Sequence, residues 1–161
     1  MAKDLTESSI ARQNILNNNY ALQEVHQAVG IKGVMFEGEY KFTKRQIADF
    51  FEVSERTINS CLEKNEQELA KNGYERLRGN RLTDFKLASS KNPGREVDFT
   101  TKTTVLGTFN FRAFLNVSML LSDSDKAKEL RSTILDIVID TINKRTGGST
   151  KYIHERIFVL H

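Results

Sequence analysis

Apolar residues in the stretch 42–64 recur every three to four positions, first as Ile47, Ala48 and Phe51 and then as Val53, Ile58, Cys61 and Leu62. That spacing lines one face of a helix. It predicts two short amphipathic helices that meet at a tight turn just before Ser54. Thr43 and Ser54 stand where a side-chain oxygen caps the free amides of a first turn, and Ala48 is small where the two helices cross. Glu52 occupies the turn position at which glycine and a positive φ are common, and a residue with a Cβ there costs some stability.

The polar side of the second helix carries Glu55, Arg56, Asn59, Ser60 and Lys64. Two crossed helices with such an edge are the arrangement that sets a recognition helix in the DNA major groove. In that reading Arg56 and Asn59 read bases, because a guanidinium bonds guanine twice and a carboxamide bonds adenine as donor and acceptor. Ser60 and Glu55 complete the base-reading set. Lys44, Arg45, Ser54, Thr57 and Lys64 are the phosphate contacts nearest to it. A helical hairpin that serves only as core would show the same apolar spacing.

Around this segment the pattern is uneven. Residues 1–19 are polar and predict a loose arm or a marginal helix. Leu22, Val25, Ala28 and Val29 predict a short helix that stops at Gly30, and Val34, Phe36, Tyr40 and Phe42 share one parity, as in a strand. The helix-forming run 63–71 ends at Asn72 and Gly73. Gly79-Asn80, between Tyr74-Glu-Arg-Leu-Arg78 and the run 81–87, carries the two-residue signal of a hairpin. After a recognition helix such a hairpin is a wing, with Arg76, Arg78 and Arg81 near phosphates; equally, its arginines keep an edge strand soluble. Residues 88–95, with the single proline, Pro93, predict a linker. Val97, Phe99, Thr101, Thr103 and Val105 alternate as in one or two strands ending near Phe109.

Asn110 is placed to cap a helix bearing Phe111, Phe114, Leu115 and Met119, and Ser122-Asp-Ser-Asp125 opens another with an approximate capping box. The second has an apolar stripe of Ala127, Leu130, Ile134, Ile137, Val138 and Ile142, and ends at Gly147-Gly148. Leu135 and Ile139 widen the stripe beyond one partner helix. It is therefore either deeply buried or also makes a dimer or partner contact, for which Leu130, Ile134, Ile137 and Val138 are the candidates.

Composition adds bounds. The chain has 161 residues, a formal charge of +3 and a pI near 9.0, which permits a polyanion partner without demanding one. The distribution is sharper: from 76 to 102 seven cations face three anions, a net +4. Cys61 is the only cysteine, so neither a disulfide within the chain nor a thiolate metal cluster is expected, and a reducing compartment fits. His26, His154 and His161 lack the spacing of metal ligands, and no phosphate-cradling glycine motif appears. Asp136 and Asp140 read as a solvated acidic edge. No cofactor, metal or enzymatic activity is predicted. No secretory or membrane-spanning run is visible, so the expected location is the cytoplasm, with no membrane partner.

Gln46, Ile47, Ala48, Phe51, Val53, Ser54, Thr57 and Ile58, following Phe36-Glu-Gly-Glu39, make the chain similar to the RhuM family of bacterial DNA-binding proteins. The stretch 110–131, through Leu120, Leu121, Ser124, Ala127 and Arg131, resembles the helical segment of RhuM-like and phage antirepressor (Bro-N) proteins. The two regions span roughly two thirds of the chain. The resemblance implies a prokaryotic or phage DNA-binding regulator, with relatives beside or fused to Fic/Doc-type toxins, so that an antitoxin or antirepressor role and a toxin or repressor partner follow. The Fic His-Pro-Phe motif and the inhibitory Ser/Thr-x-x-x-Glu-Gly/Asn helix are both missing, so neutralisation of a toxin would need another contact.

The resulting expectation is an α+β, mainly helical protein. It has an arm (1–19), a winged helix-turn-helix domain (20–88), a linker (89–96) and a strand plus two-helix C-terminal domain (97–161). Its expected partner is double-stranded DNA, read as a monomer or homodimer. The alternative is a protein-interaction module, an inhibitor or adaptor that grips a partner through its C-terminal helices and the apolar tail 156–161.

Overall fold

In the computed structural model, which describes residues 5–90 and 103–145, six helices open on a serine, threonine or asparagine whose side chain accepts the backbone N–H three residues on. Ser8, Asn18, Thr43, Ser54, Asn110 and Ser124 accept from Ala11, Ala21, Gln46, Thr57, Ala113 and Ala127 at 2.9–3.2 Å. Each bond satisfies an amide that the first turn of a helix leaves without a partner. The elements run α1 (Ser9–Leu16), α2 (Asn19–Ala28), β1 (Val34–Phe36), β2 (Glu39–Thr43), α3 (Lys44–Phe51) and α4 (Glu55–Lys64). They continue with α5 (Glu66–Lys71), β3 (Tyr74–Arg78), α6 (Gly79–Ser90), β4 (Val105–Phe109), α7 (Phe111–Leu120) and α8 (Asp125–Arg145). The fold is mixed α+β, 66% helical, with one small antiparallel sheet.

The sheet order is β1-β2-β4-β3. β1 and β2 form a hairpin where one extended segment was expected. Glu37 and Gly38 both have positive φ, 53° and 85°, the two-residue turn whose twist matches paired strands. β4 lies between β2 and β3, pairing Phe42 with Phe109 on one side and Tyr74 with Phe109 on the other. A strand from beyond the expected linker thus completes the sheet of the segment before it, and the sheet does not divide at 89–96.

Alternation along the strands sends residues to two different cores. Phe42, Tyr74 and Phe109 join the main core with α3, α4, α7 and α8, while Val34, Phe36 and Leu77 join Leu82 and Phe85 of α6. Phe114 of α7 sits at the centre of the main core, fully buried, stacked on Phe51 at 5.3 Å and close to Phe42, Phe50 and Phe111. The helices of the expected C-terminal domain therefore supply the floor on which α3 and α4 stand.

Two further expectations are corrected, and a third, the arm or marginal helix, resolves to its helical alternative. The hairpin at Gly79-Asn80 does not form: Gly79, at φ 57°, turns the chain out of β3 directly into α6. Leu82, Phe85 and Ser89 recur at three and four residues and bury one helical face, which outweighs the hairpin signal. The stretch expected as an arm or marginal helix contains α1, with Ile15 and Leu16 buried. Its Arg12 is buried as well, bonding both oxygens of Glu68 at 2.7 Å, while Asn116 of α7 donates to the same carboxylate. The Arg12 bonds hold the Glu68 carboxyl below its ordinary range against the opposing effect of burial, and Asn116 adds to them. Asp136, expected on a solvated edge, is buried, whereas Asp140 pairs with Lys144 at 3.0 Å.

The helix-forming run 63–71 is divided at Asn65, whose side-chain amide donates to the Cys61 carbonyl and ends α4 before α5 begins at Glu66. Gly73 has φ 120°, and an added Cβ would collide with the Asn110 side chain that caps α7, so glycine is required there twice over. Most of the expected linker, the first part of the expected strand before Thr103, Gly147-Gly148 and the tail 156–161 lie outside the described residues. Among the described residues no helix is long and apolar enough to cross a membrane.

Candidate functional site

Thr43 and Gln46 form a reciprocal capping box that fixes the start of α3: the Gln46 N–H donates to Thr43 Oγ1 at 3.2 Å and the Thr43 N–H to Gln46 Oε1 at 2.9 Å. Ile47, Ala48 and Phe51 bury the inner face of α3. Glu52 then adopts the left-handed conformation, φ 58° and ψ 43°, and the Val53 N–H returns to the Ala48 carbonyl at 3.0 Å. The chain leaves that turn at Ser54, which caps α4. Ile58, Cys61 and Leu62 hold α4 to the core. Burial pushes the Cys61 thiol up to about 11, so it remains a protonated, packed group at neutral pH.

Glu55, Arg56, Ser60 and Lys64 are exposed, and Asn59 is half-buried. Neither Arg56 nor Lys64 makes an ion pair among the described residues. Lys44 and Arg45 begin α3, half-buried and exposed respectively. Ser54 and Thr57 are committed locally: their hydroxyls lie 3.1 Å apart and Ser54 already accepts the Thr57 amide.

The wing arginines fare differently. Arg81 is tied to Glu37 by a short double contact and to Glu75 at 3.0 Å, stitching α6 to the β1–β2 turn and to β3. Glu37 and then Glu75 raise its pKa, and both carboxyls are lowered in return. Glu75 also holds Lys41, which is 3% exposed and sits between Glu39 at 2.8 Å and Glu75 at 2.9 Å. Burial alone would lower the Lys41 pKa; the hydrogen bonds with the two carboxylates carry it upward instead. Arg76 pairs with Glu66 at 3.0 Å. Of the three arginines expected to meet phosphate, Arg78 stands exposed at the end of β3 without an ion pair among the described residues.

The four residues expected at a partner surface also divide. Leu130 and Ile134 belong to the chain's own core, and Ile137 and Val138 are packed partly against it. The exposed apolar residues of α8 are instead Ile139 and Ile142.

The turn between α7 and α8 carries functional candidates that residue patterns did not indicate. Ser122 and Asp123 face Arg56, Thr57, Ser60 and Lys64 across a groove of about 340 Å³. Ser124 donates to the carbonyl of Phe51, the last residue of α3, at 2.9 Å while capping α8. Arg131 reaches back to the carbonyls of Ser118 and Leu121 at 2.9 and 2.6 Å, filling acceptors that the end of α7 leaves open. Lys126 lies 4.2 Å over the Phe50 ring. The Leu120, Leu121, Ser124, Ala127 and Arg131 spacing was the one available signal. Its physical content is a corner that locks α8 to α3.

Among the described residues no group of three or more histidine, cysteine or acidic side chains is placed to hold a metal ion. In comparisons with models of protein families, with curated proteins and with solved structures, nothing matches the chain.

Proposed function

We propose that this protein is a sequence-specific DNA-binding regulator of prokaryotic or phage origin that lays α4 in the major groove. The observation that carries the reading is α4 itself: capped by Ser54, set across α3 by the left-handed Glu52, and turning Glu55, Arg56, Asn59 and Ser60 outward while its other face is buried. This is the arrangement by which the second helix of a helix-turn-helix meets base edges. Lys44, Arg45 and Lys64 grip the flanking phosphates. The β3–β4 pair serves as the wing, with Arg78 on the backbone. The sequence resemblance supports control of a neighbouring gene, as antitoxin or antirepressor.

Selection from randomised duplexes, followed by mobility shift over a range of salt, tests it. Arg56→Ala should relax preference at one base position by about 1–3 kcal/mol, while Arg78→Ala weakens all duplexes alike and lowers the salt slope by roughly one. Absence of binding to any duplex at low salt would refute the reading.

A second reading, a protein-interaction module, is favoured by two observations. α4 carries two cations and two anions, so it has no net attraction for a polyanion. In addition, Ile139 and Ile142 are 39% and 51% exposed on α8. Loss of a stable complex, or of a dimer seen by light scattering, in an Ile139→Asp, Ile142→Asp variant that still binds DNA would establish this second surface beside the first.

A further inference from the structure

We propose that Asp123, outside the two-helix unit, is a specificity-determining residue that accepts a hydrogen bond from the amino group of a cytosine beside α4. The inference rests on the DNA-binding reading of α4 and extends its recognition surface to the turn after α7.

Position comes first. Asp123 lines the groove whose opposite wall is Arg56, Thr57, Ser60 and Lys64, so a duplex seated on α4 brings its bases past the carboxylate. Support comes next, because a reading group must be held in place by its surroundings. The backbone on one side of Asp123 is fixed by Ser124, bonded to the Phe51 carbonyl and the Ala127 amide. On the other side Leu121 is 4% exposed and its carbonyl is held by Arg131. The Ser124–Phe51 bond therefore ties the turn to α3, while the Ala127 and Arg131 bonds keep the α7–α8 corner itself in one shape.

Charge supplies the ligand. Asp123 is exposed and makes no ion pair among the described residues. A phosphate at this place would be repelled, whereas an amine at a base edge is a donor to which a carboxylate is matched. In the major groove only cytosine and adenine present such an amine, and adenine sets the acceptor N7 beside it. A carboxylate, which only accepts, discriminates against that neighbour and favours cytosine.

The test is selection from randomised duplexes with the full chain, comparing wild type, Asp123→Ala, Asp123→Asn and the adjacent exposed Asp125→Ala. Asp123→Ala should lose the preference for cytosine at one position, a drop in discrimination of roughly 5- to 150-fold. Asp123→Asn should move that position toward adenine, whose N6 and N7 a carboxamide matches. Asp125→Ala should leave the preferred sequence unchanged. An equal gain in affinity for all sequences in Asp123→Ala, with the preference intact, would show that the carboxylate merely repels phosphate and would overturn the proposal while leaving the α4 reading in place. A wild-type chain that selects no sequence would overturn both. Thermal unfolding of the variants separates either result from loss of fold.

Discussion

The α4 edge and the β3–α6 edge carry the same kinds of cation, and the fold treats them in opposite ways. On α4, Arg56 and Lys64 are left exposed without carboxylate partners among the described residues. On the other edge Arg81 is held by Glu37 and Glu75 and Arg76 by Glu66, Lys41 of the neighbouring β2 is buried between Glu39 and Glu75, and Arg78 is the exception, exposed without an ion pair among the described residues. Two of the seven cations in the run 76–102, Arg76 and Arg81, are thus neutralised by acids outside that run. Glu37 lies 44 residues from Arg81. An arginine is available to a polyanion where the fold supplies no acid, and that is decided by the sheet and its turns.

Four substitutions probe this contrast, the most disruptive first. Phe114→Ala should cost about 3–5 kcal/mol in urea unfolding, because the ring is shared by the floor beneath α3 and by β2. Both edges should melt together, and separate transitions would break the picture of one core.

Arg12→Ala should cost about 1–3 kcal/mol by leaving the partly buried Glu68 carboxylate with only its Asn116 bond and water. The same pair sets an acid dependence. Glu68 titrates lower in the folded chain than when unfolded, so its contribution is present above the ordinary glutamate range near 4.3 and is lost as pH falls through the depressed folded value. In Arg12→Ala that part of the acid loss should vanish. Superimposable pH–stability slopes for the two proteins would refute the assignment.

Glu52→Gly sharpens the α4 side. Glu52 pays a Cβ penalty at φ 58°, so glycine should raise stability by about 1 kcal/mol, read as an increased midpoint of unfolding. A decrease would show that the glutamate side chain contributes more than its backbone costs.

Arg81→Ala should have the smallest effect on stability, leaving the urea midpoint of unfolding nearly unchanged, since its pairs are exposed. The salt slope of DNA binding should not change, in contrast to the drop expected for Arg78→Ala. An equal drop in both would place Arg81 on phosphate and erase the difference between the edges.

The α3–α4 pair was legible because everything it needs is local: apolar spacing, two caps and a turn residue all lie within 42–64. α7 and α8 were legible for the same reason, including the cap Asn110, although α8 is capped by Ser124 and not by a box opening at Ser122. The β1–β2 hairpin was missed because Glu37-Gly38 is a weaker turn signal than the Asn-Gly or Asp-Gly that favours two positive φ angles. The wing hairpin was mistaken because Gly79 supplies positive φ equally well to a tight hairpin and to an abrupt strand-to-helix junction, and only packing of Leu82 and Phe85 on Val34, Phe36 and Leu77 chooses between them.

Local chemistry by itself determined where most helices begin, which face of α4 is apolar, and that Arg56 and Ser60 are exposed. Those outcomes depend on interactions within a few residues. Tertiary structure alone decided that β4 closes the sheet between β2 and β3, that α7 and α8 form the floor of α3 and α4, that Arg81 pairs with carboxylates, and that Asp123 lines the same groove as Arg56. Each of these joins residues tens of positions apart, and such contacts depend on the burial of whole faces, which local spacing does not encode.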